Sequence, residues 1–285
     1  MTRTAARPHD LTDLDTARGV ARRAGLVLKG RLGQHLLVDR AVLEAVVAAL
    51  DVSSDDEVLE VGPGIGTLTV ELARRARRVI AGELDPVCAR ATRRSVAGAG
   101  DVTVVEGDIL AHQPAELGLG SGWLAAGNIP YTITGALLAH LLERVDPPAR
   151  AVLLVQREVA ARLAAGAGDW SLSTVAIRSI ARVERLLDVP PAAFDPPPAV
   201  WSSVLRLTPL REHSEAERAA MLALARPAFQ MRRKMLRHGL TRACGGDEQL
   251  ALALLAEAGI DARRRPGELD LDEWAALARA HQARR

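Results

Sequence analysis

The segment Asn128-Ile129-Pro130-Tyr131 brings together groups suited to one task. The Asn128 side-chain oxygen and the Ile129 carbonyl are hydrogen-bond acceptors, Pro130 restricts the backbone between them, and Tyr131 carries a flat aromatic face. An exocyclic amine on an aromatic ring, such as N6 of adenine, is a poor nucleophile because its lone pair is delocalised into the ring. Two acceptors on its N–H groups draw the nitrogen toward a pyramidal geometry, and an aromatic face holds a base taken out of its stack. Tyr131 is the only tyrosine in a chain with 2% aromatic residues, and it sits inside this segment. No side-chain general base is evident in the segment. Asn and Pro also form ordinary turns, so the segment alone does not decide between chemistry and a plain turn.

Upstream lies Glu60-Val61-Gly62-Pro63-Gly64-Ile65-Gly66, a glycine-rich turn between a strand and a helix. Glycines there admit a ligand close to the backbone, where a Cβ would clash. The dinucleotide fingerprint needs a third glycine at the position of Thr67, so a pyrophosphate cradle is disfavoured. The spacing of Gly62, Gly64 and Gly66 instead resembles the E-x-G-x-G-x-G loop of class I methyltransferases, whose S-adenosyl-L-methionine cofactor carries no pyrophosphate. Glu83 follows about 20 residues later at a strand end, where a carboxylate accepts from ribose hydroxyls; Asp85 competes for that role. Asp108 ends the next strand and is placed to accept from an adenine amine. Leu84 and Ile109 stand beside these two acids as further candidate cofactor contacts.

The elements that must hold these residues alternate between strand and helix. Asp39 is placed to cap a helix through Leu50 with Val42, Leu43, Val46, Val47 and Leu50 on its apolar face. Strands are predicted at Val58–Val61, Arg78–Ala81, Val102–Val105, Leu124 to Asn128 and Ala151–Val155, with helices at Thr67–Ala76, from Pro86, and at Ile133–Leu142. This alternation predicts an α/β fold: a class I methyltransferase (Rossmann-like), doubly wound, mostly parallel sheet. Later strands are predicted at Val175–Leu187 and Val200–Leu207, around a proline-rich segment. Helices at Glu215–Ala225, Arg232–Leu240, Gln249–Ala258 and Leu271–His281 then form a small C-terminal helical domain. The expected division is an N-terminal tail over residues 1–28, either mobile or a loosely held helix, a catalytic domain over 29–208 and a helical RNA-binding domain over 209–285.

Composition sets outer limits. The 285 residues are 48% hydrophobic and 25% charged, enough to bury a core. No apolar run suggests a membrane span or a signal peptide. Cys88 and Cys244 lie far apart in no metal-ligand spacing, so neither a disulfide framework nor a metal site is expected, and a cytoplasmic setting fits. The net charge is +2. Lys29 and Lys234 are the only lysines, so nearly all positive charge is arginine, either a compositional bias of the genome or a preference for phosphate recognition.

Taken together, the motifs resemble those of the ribosomal RNA adenine N6-dimethyltransferases, in the KsgA branch, with the Erm methyltransferases as relatives. The likeness covers roughly residues 25 to 275. It includes Leu32-Gly33-Gln34-His35-Leu36-Leu37-Val38-Asp39, which by resemblance lies over the methionine end of the cofactor, with contacts at Gln34, His35 and Leu37. Leu36 stands where the family often has Phe. By resemblance Gly62, Glu83 and Asp108 contact the cofactor, Asn128 to Tyr131 carry catalysis, and Phe194 sandwiches the flipped adenine against Tyr131. The alternative for Phe194 is an anchor for its proline-rich loop. Val155-Gln156-Arg157-Glu158-Val159-Ala160-Ala161-Arg162-Leu163 and Ala228-Phe229-Gln230-Met231-Arg232-Arg233-Lys234-Met235-Leu236-Arg237 favour the KsgA branch. The latter makes Arg232, Arg233, Lys234 and Arg237, expected at a helix start, a candidate phosphate clamp. Ala199, Trp201 and His238 depart from that branch, where Lys, Asp and Asn are usual.

The resemblance implies an enzyme that dimethylates two adjacent adenosines near the 3′ end of small-subunit rRNA; nothing in the sequence suggests an obligate oligomer or a membrane span, so a monomer without membrane association is expected. The alternatives are an Erm-like enzyme acting on large-subunit rRNA, which commonly has Ile at the position of Ile129, and a non-catalytic ribosome-assembly or transcription factor on the same fold. A nicotinamide-dependent dehydrogenase is disfavoured by Thr67.

Overall fold

Strands of a parallel sheet covered on both faces are buried along their length, and Glu57–Val61 is buried at every position, its two glutamates included. The computed structural model describes residues 10–27, 34–130 and 133–284. Its strands are β1 (Leu36–Leu37), β2 (Glu57–Val61), β3 (Arg78–Glu83), β4 (Val102–Glu106), β5 (Leu124–Asn128), β6 (Arg150–Gln156), β7 (Ala181–Val189), β8 (Phe194–Asp195) and β9 (Ser202–Pro209). Its helices are α1 (Leu14–Ala24), α2 (Arg40–Leu50), α3 (Thr67–Ala73), α4 (Pro86–Ser95), α5 (Thr134–Leu142), α6 (Arg157–Leu163), α7 (Leu172–Arg178), α8 (Glu215–Gln230), α9 (Leu236–Ala243), α10 (Glu248–Glu257) and α11 (Leu271–Gln282).

One sheet runs in the order β4-β3-β2-β5-β6-β9-β7, and β1 pairs separately with β8. β2 is parallel to β3 and to β5, β3 to β4, and β5 to β6, whereas β9 runs antiparallel to β6. This is the doubly wound, mostly parallel α/β sheet expected from the alternating pattern. The strand order reverses beside β2, which opens a crevice outside the carboxyl ends. Register places Val61 level with Gly82 and Gly127, Glu83 level with Glu106, and Asn128 level with Leu154.

Local chemistry starts the helices as anticipated. The Asp39 carboxylate accepts from the Val42 N–H and caps α2, whose buried face is Val42, Leu43, Val46, Val47 and Leu50. Asp85 caps α4 ahead of Pro86 in the first turn.

The chain forms two compact units: one from the described residues of Met1–Ala160 with Glu184–Thr208, the other from Ala161–Val183 with the described residues of Pro209–Arg285. Three expectations change. Residues 161–183, expected in the catalytic domain, group with the helical unit, because Trp170 and Val175 enter the core built around Met221, Leu254 and Trp274. Within Val175–Leu187, the first part is α7, begun by a capping box of Ser171 and Thr174, and only the rest is β7. The N-terminal segment, expected as a mobile tail or a loosely held helix, contains the helix α1, capped by Asp13, and it is packed: Ala17 and Ala21 enter a core shared with Cys88, Ala91 and Val96. In the helical unit Gly239 permits close approach of α8 and α9, since a Cβ there would lie 2.4 Å from the Ala228 Cα. No helix of the described residues is long and apolar enough to cross a membrane.

Candidate active site

The glycine turn adopts backbone angles that other residues resist. Gly62, Gly64 and Gly66 have φ of 71°, 63° and 91°, in the left-handed region. An ideal Cβ on Gly62 would stand 3.5 Å from the Asn128 carbonyl oxygen and 3.8 Å from Pro130 Cδ, and one on Gly64 would meet Leu36 Cδ2 at 3.6 Å. The turn, the Asn128 segment and the N-terminal signature therefore converge on one place. The Gly64 N–H donates to Glu83 Oε2 at 3.0 Å, and Thr92 Oγ1 donates to the Gly64 carbonyl at 2.9 Å.

Glu83 is buried, and its other oxygen accepts from the Asp85 N–H at 3.0 Å. Burial raises its carboxyl above the ordinary range, while the backbone donors of Asp85 and Gly64 oppose that rise. Each oxygen keeps a lone pair for a hydroxyl donor. Asp85 is tied into local structure: Oδ1 caps α4 with two backbone donors and Oδ2 accepts from Gln34 Nε2 at 2.8 Å. Gln34 thus ties the N-terminal signature to the end of β3. Leu84, beside it, is 72% exposed and offers an apolar surface at the crevice. Asp108 lies two residues beyond β4 and caps the turn that follows, Oδ1 accepting from the Leu110 N–H, its side chain otherwise exposed. Ile109 is buried behind β3, and only glycine at position 82 leaves room, since a Cβ there would lie 2.6 Å from Ile109 Cδ1.

Asn128 is half-buried at the end of β5, and its Nδ2 donates to the His35 carbonyl at 3.0 Å. That bond fixes the amide orientation and leaves Oδ1 as the acceptor end. His35 is held in turn by Nδ1 against the Pro196 carbonyl at 2.6 Å, and β1 pairs with β8 in the register Leu37↔Phe194. Tyr131 lies outside the described residues. Pro130 borders the glycine turn, and Ile129 is buried with its N–H bonded to the Leu154 carbonyl at 3.0 Å. Phe194 is 4% exposed, in the core with Leu37, Val189 and Ala193. The strand pairing with β1 turns its ring inward, an arrangement that suits the anchoring alternative; the expected sandwich against Tyr131 involves a residue outside the described ones.

Beneath the turn Glu60 is 1% exposed, and Oε2 has no hydrogen-bond partner among the described residues. Burial, with a smaller contribution from Glu83, pushes its carboxyl up to about 8, while Thr69 opposes the rise. Cys88 on α4 is also inert, its thiol pushed up to about 12, mainly by burial.

In the helical unit Arg232, Arg233 and Lys234 line an open groove of about 770 Å³ with Arg265, Gln230 and Trp170. They occupy the turn between α8 and α9 and not a helix start, because Leu236 is the first residue of α9. Arg237 is on α9, half-buried, and is not part of the lining. Arg265 was missed, although Arg263-Arg264-Arg265 is a visible run. Its neighbours are engaged, Arg263 with Asp261 and Arg264 with Glu273. Also missed was Arg18 on α1, which grips Asp195 through Nε and Nη2, each at 2.9 Å, and so holds the Phe194 loop.

An S-adenosylmethionine molecule fits these groups: a cradle that a Cβ would fill, a carboxylate level with the turn and an exposed acid just beyond the adjacent strand. Fold and site define a methyltransferase of the S-adenosylmethionine-dependent class. A family model described as ribosomal RNA adenine dimethylase matches residues 26–280. The chain is 38% identical over 261 residues to ribosomal RNA small subunit methyltransferase A of Dehalococcoides mccartyi, covering 89% of each chain. It is 40% identical over 264 residues to the protein of that name from Acidobacterium capsulatum, covering 90% of this chain and 92% of the relative. The crystal structure of the 23S rRNA methyltransferase ErmE superposes with a TM-score of 0.72 at 28% identity, over 86% of this chain and 98% of that one. A dimethyladenosine transferase from Plasmodium falciparum shares the fold at the same TM-score of 0.72 and 24% identity, over 84% and 94%. The chain belongs to the ribosomal RNA adenine dimethylase family and is an RNA methyltransferase.

Proposed function

We propose that the protein methylates N6 of two adjacent adenosines near the 3′ end of small-subunit rRNA, acting as a cytoplasmic monomer on the small ribosomal subunit with S-adenosyl-L-methionine as donor. The observation that carries this reading is the fixed Asn128 amide beside the glycine turn. Its Oδ1 accepts one N–H of the target amine and the Ile129 carbonyl the other, which restores the nitrogen lone pair. Tyr131 takes the face of the extruded base. When bound, the cofactor supplies a methyl group on a sulfonium, an electrophile needing no metal. Gly62 and Gly64 admit it to the backbone, Glu83 accepts from its ribose hydroxyls, Asp108 reads its adenine amine, and Gln34, His35, Leu37, Leu84 and Ile109 enclose the site. Arg232, Arg233, Lys234 and Arg265 hold phosphates of the RNA.

Methyl transfer from labelled S-adenosylmethionine to undermethylated small and large subunits, side by side, tests the reading. Label is expected in N6,N6-dimethyladenosine of the small subunit. The likeness to ErmE and the Ile at position 129 favour a second reading, in which label falls in the large subunit alone. No label in either, with the cofactor bound, overturns both.

A further inference from the structure

Trp201 departs from its relatives' pattern and is left unused by the chemistry above. The chain has four tryptophans. Trp123, Trp170 and Trp274 are 2%, 3% and 0% exposed, whereas Trp201 is 42% exposed, with the half-exposed Val200 beside it. Burial of the others is what a large apolar ring ordinarily demands. Trp201 is also held in place. The Arg157 N–H donates to the Trp201 carbonyl at 2.9 Å, one step beyond the Gln156↔Ser202 pair that ends the β6–β9 ladder. The exposed Arg157 guanidinium lies over the indole, 5.4 Å from the ring centroid.

The position of this pair matters as much as its chemistry. Asn128 is level with Leu154 on the adjacent strand. Arg157 follows three residues further toward the same carboxyl edge, so at strand spacings of about 3.3 Å along and 4.8 Å across its backbone lies about 11 Å from that of Asn128, and that of Trp201, one strand further across, about 14 Å. An exposed indole bearing a guanidinium offers a stacking plane for a base and a positive charge for its phosphate.

We propose that Trp201 and Arg157 form a stacking platform for an unpaired nucleobase flanking the target adenosine. The inference rests on the RNA-methyltransferase reading and concerns positioning of substrate, not methyl transfer itself. The platform takes any base by its face and sets the register in which the target amine reaches Asn128.

The test uses the wild-type protein first. Acrylamide quenches exposed indoles, so Trp201 supplies the quenchable fluorescence, and oligoadenylate RNA is expected to protect it. Protection by RNA in wild type, absent in Trp201→Phe because the reporting indole is gone, assigns the signal to this residue. In transfer assays on undermethylated small subunits, Trp201→Leu should raise KM about tenfold with kcat within about twofold, since stacking acts on binding. Trp201→Phe should keep most of the affinity, and thermal melting of both variants should match wild type. Quenching unchanged by RNA, or a wild-type KM in Trp201→Leu, overturns the platform. If wild-type protein leaves small subunits unlabelled, the small-subunit reading falls, while the quenching result on oligoadenylate still decides the platform.

Discussion

The smallest effective unit here is one amide whose orientation is set by a backbone carbonyl. Because Asn128 Nδ2 is committed to the His35 carbonyl, Oδ1 is the end that can draw on an amine as its charge develops. Asn128→Ala should therefore reduce kcat for adenosine methylation by roughly a hundredfold or more, as for loss of one preorganised electrostatic contact. Cofactor affinity measured by calorimetry should change by less than about threefold. Wild-type turnover in this variant would remove Asn128 from catalysis. Glu60 acts at the same scale but on stability. Burial pushes its folded carboxyl up to about 8, against an ordinary value of 4.5. Between those values the folded state binds more protons than the unfolded state, so its contribution to stability falls as pH rises through that window. Glu60→Gln should flatten the decline between pH 5 and pH 8 measured by urea unfolding. A slope unchanged by the substitution would mean that Glu60 is ionised in the folded protein.

At the scale of elements, the site depends on how closely two central strands approach. A Cβ on Gly127 would lie 2.4 Å from the Val61 carbonyl oxygen and 2.8 Å from Ile129 Cδ1. Neither a backbone oxygen nor a buried isoleucine can yield cheaply. Gly127→Ala should lower stability by about 1–3 kcal/mol, seen as a lower urea midpoint at unchanged m, and should shift Asn128 enough to reduce activity. Stability equal to wild type would show that β2 and β5 can part without cost. The element that sequence patterns misassigned, Val175–Leu187, fails for a related reason. Short apolar runs suit a helix and a strand equally, and Ser171 with Thr174 lacks the acidic residue that usually marks a capping box.

At the scale of the molecule, charge is concentrated by the fold and not by composition. A net charge of +2 says little. Arg232, Arg233 and Lys234 meet Arg265, some thirty residues on, around one groove, while Arg263 and Arg264 next to it are paired. Arg232→Ala with Arg233→Ala should weaken binding to small subunits and reduce the magnitude of the log–log salt slope by about 1.5, as loss of two phosphate contacts requires. An unaltered slope would show that these arginines do not meet phosphate.

Several things could be read from residue order alone because they depend on local chemistry. Asp39 and Asp85 cap the helices that follow them, the glycines of Gly62–Gly66 permit left-handed backbone, and the apolar runs from β2 to β6 require a buried parallel sheet. The Asn128 segment was legible for the same reason: its acceptors and its proline are contiguous. Other features belong to tertiary structure, because they join residues distant in the chain. No local signal could say that Asp85 would bind Gln34 of the N-terminal signature, or that Glu83 would hold the Gly64 N–H. Nor could it say that β1 would pair with β8 and bury Phe194, that α1 would grip Asp195, or that residues 161–183 would join the helical core. Each of these outcomes was decided by which partner offered the better burial or hydrogen bond, and that competition takes place only once the chain has folded.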